Sequence, residues 1–246
     1  MLRFAKILPD RNILHDGKRE LSGRKISATS TDILFKDIKL AAKTLKVTIN
    51  DYITACLATA VKQYFELKGD TKTDQINIVI PANIRFAHYG SWERVKFENK
   101  FAPVPLTLPL NKDLKQSFED IGRATAHLKT AFIDVYATYA MSYYSSMFSP
   151  YFLQNWFLMK STEPYTLAFS NTPGLLKPIS YEGKKSKKMQ FYFVPSGRAG
   201  MALSALSYVD YYKITLTVDD TIMKDPQTLL DLLEKNIRSC YVKGDI

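Results

Sequence analysis

The spacing of apolar residues changes along the chain between a helical and a strand-like period. Apolar positions three and four residues apart predict helices over residues 33–45, 48–69, 112 to about 133, and about 226 to 242. Short runs of β-branched or aromatic residues bounded by Pro or Gly predict strands over residues 75–85, 101–110, 165–170, 190–197 and 201–220. Helices and strands therefore mix, which predicts an α/β fold with a mixed sheet flanked by helices rather than a doubly wound Rossmann unit.

The first 30 residues lack either period. They are rich in charged residues and contain Gly, and they predict an irregular N-terminal segment ahead of a domain over residues 31–246. A chain of 246 residues is long enough for a well-packed core.

The second predicted helix has a distinct start signal. Thr48 and Asp51 are three residues apart ahead of an apolar run, which is a capping-box pattern. The Thr48 hydroxyl is expected to accept a hydrogen bond from a free backbone N–H of the first turn. Gly69 is expected to end the helix.

Residues 135–159 contain no Asp, Glu, Lys or Arg. Their length would permit a membrane span. Pro150 should break a helix, and the Ser, Tyr, Gln and Asn side chains lower the hydrophobicity. We therefore interpret the segment as two buried or interfacial helical pieces.

The formal charge of +10, with a pI near 9.4, leaves three kinds of partner open: nucleic acid, an anionic membrane face, or a polyanionic small ligand. No finger spacing or RNP1-like string occurs, so a nucleic-acid partner is not predicted. Cys56 and Cys240 are the two cysteines, which predicts neither a disulfide framework nor a zinc site and favours a reducing compartment. The N-terminus has no long apolar h-region of a signal peptide.

The three histidines are the first candidates for acid–base chemistry. His127 is expected on a helix surface and His88 in a loop, whereas His15 is followed by Asp16 and Gly17. Neither a Gly-x-Ser-x-Gly elbow nor a Walker A or Gly-x-Gly-x-x-Gly loop occurs. The run "KKSKK" at residues 184–188 predicts a solvated hairpin or, alternatively, a contact for phosphates or acidic lipids.

Five segments in order resemble one family: "TINDYITACLATAVKQYF", "IVIPANIR", "NKFAPVPLTLPL", "FSNTPGLLKP" and "ALSALSYVDYYKITLTVDD". Together they are similar to the C-terminal half of the bacterial and plant wax ester synthase/diacylglycerol acyltransferase family, over roughly residues 15–242. Departures occur at Lys100, at Leu175 in place of a Pro, and at Asp219–Asp220 in place of Ala-Asp, which suggests an altered acyl or alcohol preference.

The resemblance implies a fold like that of chloramphenicol acetyltransferase and other coenzyme-A-dependent acyltransferases. It also implies transfer of an acyl group from a fatty acyl-CoA, the only cofactor-like substrate expected, to a long-chain alcohol or a diacylglycerol. The family's general base belongs to an "HHxxxDG" motif in the N-terminal half. Here the nearest string is "RNILHDG", where Arg11 and Asn12 occupy both His positions, and an Arg stays protonated. We therefore expect a half enzyme with no catalytic residue of its own and no activity alone: a fragment, a shortened gene product or a non-catalytic relative. A separate N-terminal half is a partner that would complete it.

The resemblance also suggests site residues. Ser170 and Asn171, positioned by the Pro173–Gly174 turn, and Asn50 and Asp51 at a helix start would line a substrate tunnel between the halves. The structural alternatives are that Asp51 caps a helix and that Asn171 satisfies a turn. The basic residues expected near the coenzyme A phosphates or an anionic lipid are Arg85, Lys184, Lys185, Lys187 and Lys188.

A second function is also open: a non-catalytic lipid- or membrane-binding module derived from the same fold. Both hypotheses predict an intracellular protein, cytoplasmic or peripherally attached to the endoplasmic reticulum or plasma membrane through its lysines and the aromatic residues between 136 and 156.

Overall fold

A computed structural model describes residues 7–85, 100–130 and 132–241. In chain order, its elements are β1 (Lys25–Thr29), β2 (Ile33–Leu34), α1 (Phe35–Thr44), α2 (Ile49–Leu67), β3 (Gln75–Asn83), β4 (Phe101–Pro109), α3 (Leu114–Thr130), α4 (Phe132–Phe148), α5 (Tyr151–Thr162), β5 (Leu167–Thr172), β6 (Ser180–Tyr181), β7 (Lys184–Lys185), β8 (Met201–Tyr208), β9 (Tyr211–Asp219) and α6 (Pro226–Ser239).

The main sheet is mixed, as the sequence predicts. Its strands lie in the order β1-β9-β8-β5-β3-β4, and β2 also pairs with β9. The central strands β3, β5 and β8 are parallel, whereas β4, β9 and β1 are antiparallel to their neighbours. The carboxyl ends of β3, β5 and β8 therefore lie at one edge of the sheet, which we call the carboxyl edge.

One face of this sheet carries the hydrophobic core. Alternate residues along each strand, such as Ile78, Phe169 and Leu203, point to this face and pack under α2, which lies between α3 and α6. Helix α2 is buried along most of its length, so its apolar residues surround the helix instead of forming a narrow stripe.

The segment 1–30, predicted as irregular, contains strand β1. Its residues 25–29 pair with β9 from Thr215 to Asp219. The strand was missed because the run "KISAT" is short and carries little apolar signal. The division of the chain at residue 31 stays a prediction.

Two further element predictions are wrong. Ile33 and Leu34 begin no helix but pair with Tyr212 and Tyr211 as the short strand β2. Residues 190–197 form no strand, because side chains of the sheet take up their backbone groups: Phe193 N donates to Ser204 Oγ (2.9 Å), and Thr215 Oγ1 donates to Phe191 O (2.7 Å).

The uncharged segment forms two helices that meet at Pro150, as predicted. Within the described residues, none of the helices has both the length and the apolar character that crossing a bilayer requires.

Candidate functional site at the carboxyl edge of the sheet

A hydrogen-bonded chain of three side chains lies at the carboxyl edge. Asn171 Nδ2, at the end of β5, donates to Asn50 Oδ1 in the first turn of α2 over 2.6 Å. Tyr212 Oη, at the start of β9, donates to Asn171 Oδ1 over 2.8 Å. The fold thus joins two predicted site residues that are 121 positions apart in the sequence.

Tyr212 fixes the orientation of the Asn171 amide. The Tyr212 ring is buried and stacks on Phe35, with centroids 5.9 Å apart. Burial, together with the nearby Cys56 thiol, raises the pKa of Tyr212 far above its ordinary value, so its hydroxyl remains a donor at any physiological pH. Because Asn171 is held at both its oxygen and its nitrogen, it cannot flip without losing both bonds. Asn50 is exposed, so this chain leads from the core to the surface.

Asp51 points elsewhere. Its backbone N–H donates to Thr48 Oγ1 (3.1 Å), which is the capping bond that the sequence predicts. Its carboxylate is buried and accepts a hydrogen bond from Thr125 Oγ1 of α3 over 2.8 Å. The Asp51 carboxylate therefore joins the start of α2 to α3, and a place for Asp51 in a tunnel wall stays a prediction.

Ser170 and Asn171 lie on opposite faces of the sheet, because successive side chains of a strand alternate. Asn171 shares its face with the core residue Phe169, whereas Ser170 lies in register with Ser204 on the other face. The two residues therefore do not line the same surface, although both lie near the carboxyl edge.

The Pro173–Gly174 turn is fixed against the end of β8. Gly174 N donates to Ser207 Oγ (3.0 Å), and Val209 N donates to Leu175 O (2.7 Å). A Cβ atom on Gly174 would lie 1.6 Å from Ser207 O, so no other residue fits without moving the backbone. This close approach explains why a Gly follows Pro173 at the end of the strand.

The predicted basic residues also lie at or beyond the carboxyl edge. Arg85 is exposed just after β3. The exposed β6–β7 hairpin contains Lys184 and Lys185, and it is anchored to the end of β8 through Tyr208 Oη, which accepts from Ile179 N and donates to Ser186 O.

Lys188 differs from the other lysines of the run. Its Nζ lies 2.5 Å from the Asp32 carboxylate, which also binds Lys213 Nζ at 2.8 Å. These two cations lower the pKa of Asp32. Lys188 is exposed, as are Lys184, Lys185 and Lys187, but its ammonium group already shares a carboxylate with Lys213.

His15 lies at the opposite edge of the sheet, near the start of β5. Its ring is buried, and Nε2 lies 2.7 Å from Glu163 O. The Asn12 carboxamide accepts from the N–H groups of Leu14 and His15 and closes a tight turn. A small pocket of about 10 Å³, room for little more than one water molecule, lies beside His15 and Arg198 at this same edge, away from Asn171. The "HDG" string is therefore a structural turn. The predicted loop around His88 lies outside the described residues.

Sequence reasoning did not single out Tyr212, Ser207 or Thr125. The alternation in β9 provides one signal, since Tyr212 shares its face with Ile214 and Leu216 and so must be buried near the carboxyl edge. The positions of Ser207 and Thr125 have no such signal, because their partners Gly174 and Asp51 lie far away in the sequence.

Comparison with solved structures defines the class of fold. The chain resembles a wax ester synthase/diacylglycerol acyltransferase from Marinobacter aquaeolei VT8 with a TM-score of 0.66 at 16% identity, covering 97% of this chain and 53% of that chain. It also resembles the starter condensation domain of rhizomide synthetase, solved in complex with C8-CoA, with a TM-score of 0.56 at 12% identity, covering 97% of this chain and 48% of that chain. The predicted fold class, a half of the chloramphenicol-acetyltransferase type, is confirmed.

The sequence comparisons then give the family. The model of the WS/DGAT C-terminal domain matches residues 98–240, and the chain belongs to this family. Among curated proteins, it is 25% identical over 224 residues to the O-acyltransferase WSD of Acinetobacter baylyi, which covers 90% of this chain and 47% of the relative. The chain thus spans about half the length of the relatives that it matches.

Proposed function

We propose that this chain is the C-terminal half of an acyl-CoA-dependent O-acyltransferase that acylates a long-chain alcohol or a diacylglycerol. The observation that carries the proposal is the Asn50–Asn171 hydrogen bond. It joins the side chains of two motifs that resemble those of the family, "TIND" and "FSNTPG", at a surface-accessible edge of the sheet. Membership of the WS/DGAT C-terminal domain family supports the same reaction class.

In this proposal the chain binds and orients the acyl-CoA and the acceptor, and a complementary half supplies the general base. The Asn50–Asn171–Tyr212 chain presents fixed amide dipoles at the carboxyl edge, where a thioester or an acceptor hydroxyl would lie. The exposed Arg85 and the lysines of the β6–β7 hairpin offer cations for the phosphates of coenzyme A at the same edge. His15 cannot serve as the base, because it lies at the opposite edge with its ring against Glu163 O.

Binding of oleoyl-CoA to the chain, measured by isothermal titration calorimetry, tests the proposal. Asn171→Ala removes both hydrogen bonds of its amide and is expected to weaken binding about 5- to 10-fold, on the scale of one neutral hydrogen bond. Asn111→Ala is the matched control, because Asn111 follows the end of β4 at the opposite edge and should not change the affinity. Equal affinities for the two variants, at unchanged circular dichroism, would contradict the proposed site.

The half-enzyme part of the proposal has its own assay. The chain alone, given labelled oleoyl-CoA and hexadecanol or diacylglycerol, is expected to form no ester above a buffer control. Ester formation by the isolated chain would show that the base lies within it.

The second candidate is a lipid-binding module without turnover. The exposed lysines of the β6–β7 hairpin favour it, since they suit peripheral contact with an anionic membrane. It predicts flotation of the chain with phosphatidylserine vesicles, weakened by salt, without measurable affinity for oleoyl-CoA.

A further inference from the structure

The two cysteines of the chain come from distant parts of the sequence and meet in the fold. Cys56 lies on α2 and is fully buried, whereas Cys240 is the residue that ends α6 and is half-buried. Their two thiols share a hydrogen bond. The proposed function uses neither thiol, so this contact calls for an explanation of its own.

The contact between the thiols is supported by bonds from both helices. Tyr52, one turn before Cys56 on α2, donates from Oη to Ile237 O over 2.7 Å, and its hydroxyl also hydrogen-bonds to Cys240. Asn236 of α6 donates from Nδ2 to Cys56 O over 3.4 Å, and Cys240 Sγ lies 3.7 Å from Asn236 O. The backbone of each cysteine is therefore tied to the other helix or to its own, with the sulfur atoms between them.

This arrangement meets the first requirement of a disulfide bond. A bond forms only when the two sulfur atoms can approach to about 2.05 Å without a large movement of the backbone. Thiols that already share a hydrogen bond need only a short approach and a rotation of their side chains. Both cysteines lie on helices that pack directly against each other, so the approach does not require the fold to open.

The two thiols differ in their access to a reagent. Burial, reinforced by the hydrogen bond to Cys240, raises the pKa of Cys56 well above its ordinary value. Because the thiolate is the reactive form, Cys56 is protected from reagents in solution. Cys240 is half-buried at the end of a helix, so an oxidant meets this sulfur first. Cys56 is then placed to react with Cys240 at a high effective concentration.

We propose that Cys56 and Cys240 form an oxidation site, at which a small disulfide such as oxidised glutathione links α2 to the end of α6. The Cys240 thiolate attacks one sulfur of the oxidant, which gives a mixed disulfide and releases one glutathione thiolate. Cys56 then loses its proton and attacks the Cys240 sulfur, which releases the second glutathione. The protein loses two electrons and two protons, and the oxidant becomes two thiols.

The site adds to what the sequence predicts without depending on the proposed acyl transfer. Two cysteines are too few for a disulfide framework, but they are enough for one reversible bond. The reducing compartment that the sequence favours would keep the pair as thiols until an oxidant appears. Failure of this site would leave the proposed function untouched.

The bond is expected to stabilise the fold. It would close a loop that runs from residue 56 to residue 240 and so contains most of the chain. A disulfide limits the freedom of the unfolded chain, and the effect grows with the length of the loop. We expect the Tm of the oxidised chain to exceed that of the reduced chain by about 5–15 °C.

Treating the folded chain with oxidised glutathione tests the site. Mass spectrometry is expected to show a loss of about 2 Da, for two hydrogen atoms, and a thiol assay after denaturation should find no thiol. A peptide map without reductant should link the peptide of Cys56 to that of Cys240. Dithiothreitol should restore both thiols and the lower Tm, which circular dichroism measures.

Matched variants separate this pair from cysteines in general. Cys240→Ser changes a half-buried position and should fold, but it should form no bond within the chain. Cys240→Ser with Asp231→Cys keeps two thiols and moves the second to the exposed side of α6, away from Cys56. It too should form no such bond. Cys56→Ala is the second test of the pair and should leave the Cys240 thiol open to the reagent.

Four results would each overturn the proposal. The reaction could stop at glutathione bound to Cys240, which would show that Cys56 is out of reach, or both thiols could stay reduced in the folded chain. The bond could form only between chains, or it could lower the Tm, which would mean that it strains the native fold. An equally fast bond within the Cys240→Ser, Asp231→Cys variant would contradict the proposed contact as well.

Discussion

Helices α2 and α6 on the one hand, and α4 and α5 on the other, contain similar apolar and aromatic residues but bury them to very different extents. In the first, apolar side chains such as Phe65 and Leu230 are almost fully buried against the sheet, and the polar group of Tyr52 is satisfied by a bond to Ile237 O (2.7 Å). In the second, Phe152 and Trp156 are more than half exposed. An apolar, aromatic sequence therefore does not by itself predict a buried core. Helices α2 and α6 stabilise the fold by this burial, whereas the exposed rings of α5 add little to it.

Replacing one Phe in each region tests this contrast in burial through the free energy of unfolding. Phe65→Ala leaves a cavity in the core and is expected to lower the free energy of unfolding by about 3–5 kcal/mol. Phe152→Ala removes an exposed ring and should change it by less than about 0.5 kcal/mol in the monomer. Urea unfolding at several protein concentrations measures both changes, because any association between chains would make the measured stability depend on concentration. Equal losses would mean that α5 belongs to the folding core.

The end of β9 provides the next largest effect. The buried Asp219 carboxylate accepts hydrogen bonds from Ser22 N, Gly23 N and Thr221 Oγ1 and pairs with Lys25 Nζ at 2.9 Å. Asp219→Ala leaves these donors without their acceptor. We therefore expect the free energy of unfolding to fall by about 3 kcal/mol. Asp231→Ala, on the exposed side of α6, is the control and should fall within about 0.5 kcal/mol of the wild type.

The lowered pKa of Asp219 also makes the stability of the fold depend on pH. Burial acts to raise its pKa, but the hydrogen bonds from Thr221, Lys25 and Ser22 outweigh it and hold the pKa well below the ordinary value. Its contribution to stability is therefore present above about pH 4, where the unfolded carboxyl is ionised, and declines as the pH falls below that. Asp219→Asn should flatten this acid limb in urea unfolding measured from neutral to acidic pH, and an unchanged slope would contradict the assignment.

The smallest expected effect concerns the link between the core and the candidate site. Tyr212→Phe keeps the ring stacked on Phe35 and removes the bond to Asn171. We expect a loss of about 1 kcal/mol in unfolding free energy. We also expect weaker binding of oleoyl-CoA, since the Asn171 amide is then held from one side. Tyr211→Phe, one residue earlier and partly exposed, is the matched control for both measurements. If the two variants bind oleoyl-CoA equally well, Tyr212 serves the core alone.

Much of the fold could be predicted from the sequence, because the relevant signals are local. Thr48 caps α2 as expected, Pro150 separates α4 from α5, and α6 has its strong amphipathic pattern. The misses have local causes too. Strand β1 is short and half polar, and residues 190–197 have the composition of a strand but bind the side chains of Ser204 and Thr215 instead of a neighbouring strand. Composition favours an extended backbone, but it does not determine where the hydrogen bonds go.

From the sequence alone one can read the helices and most of the strands, the lack of a histidine pair ahead of the "DG" string, the positive charge of the chain and the absence of charged residues from 135 to 159. These features depend on neighbours within a few positions of the chain. Tertiary structure was needed to show that Asn171 meets Asn50 and Tyr212, that Asp51 turns to α3, that Lys188 shares Asp32 with Lys213, and that the aromatic helices stay exposed. Each of these outcomes depends on which helices, strands and loops become neighbours. That choice follows from the burial of the whole sheet, so no short stretch of sequence encodes it.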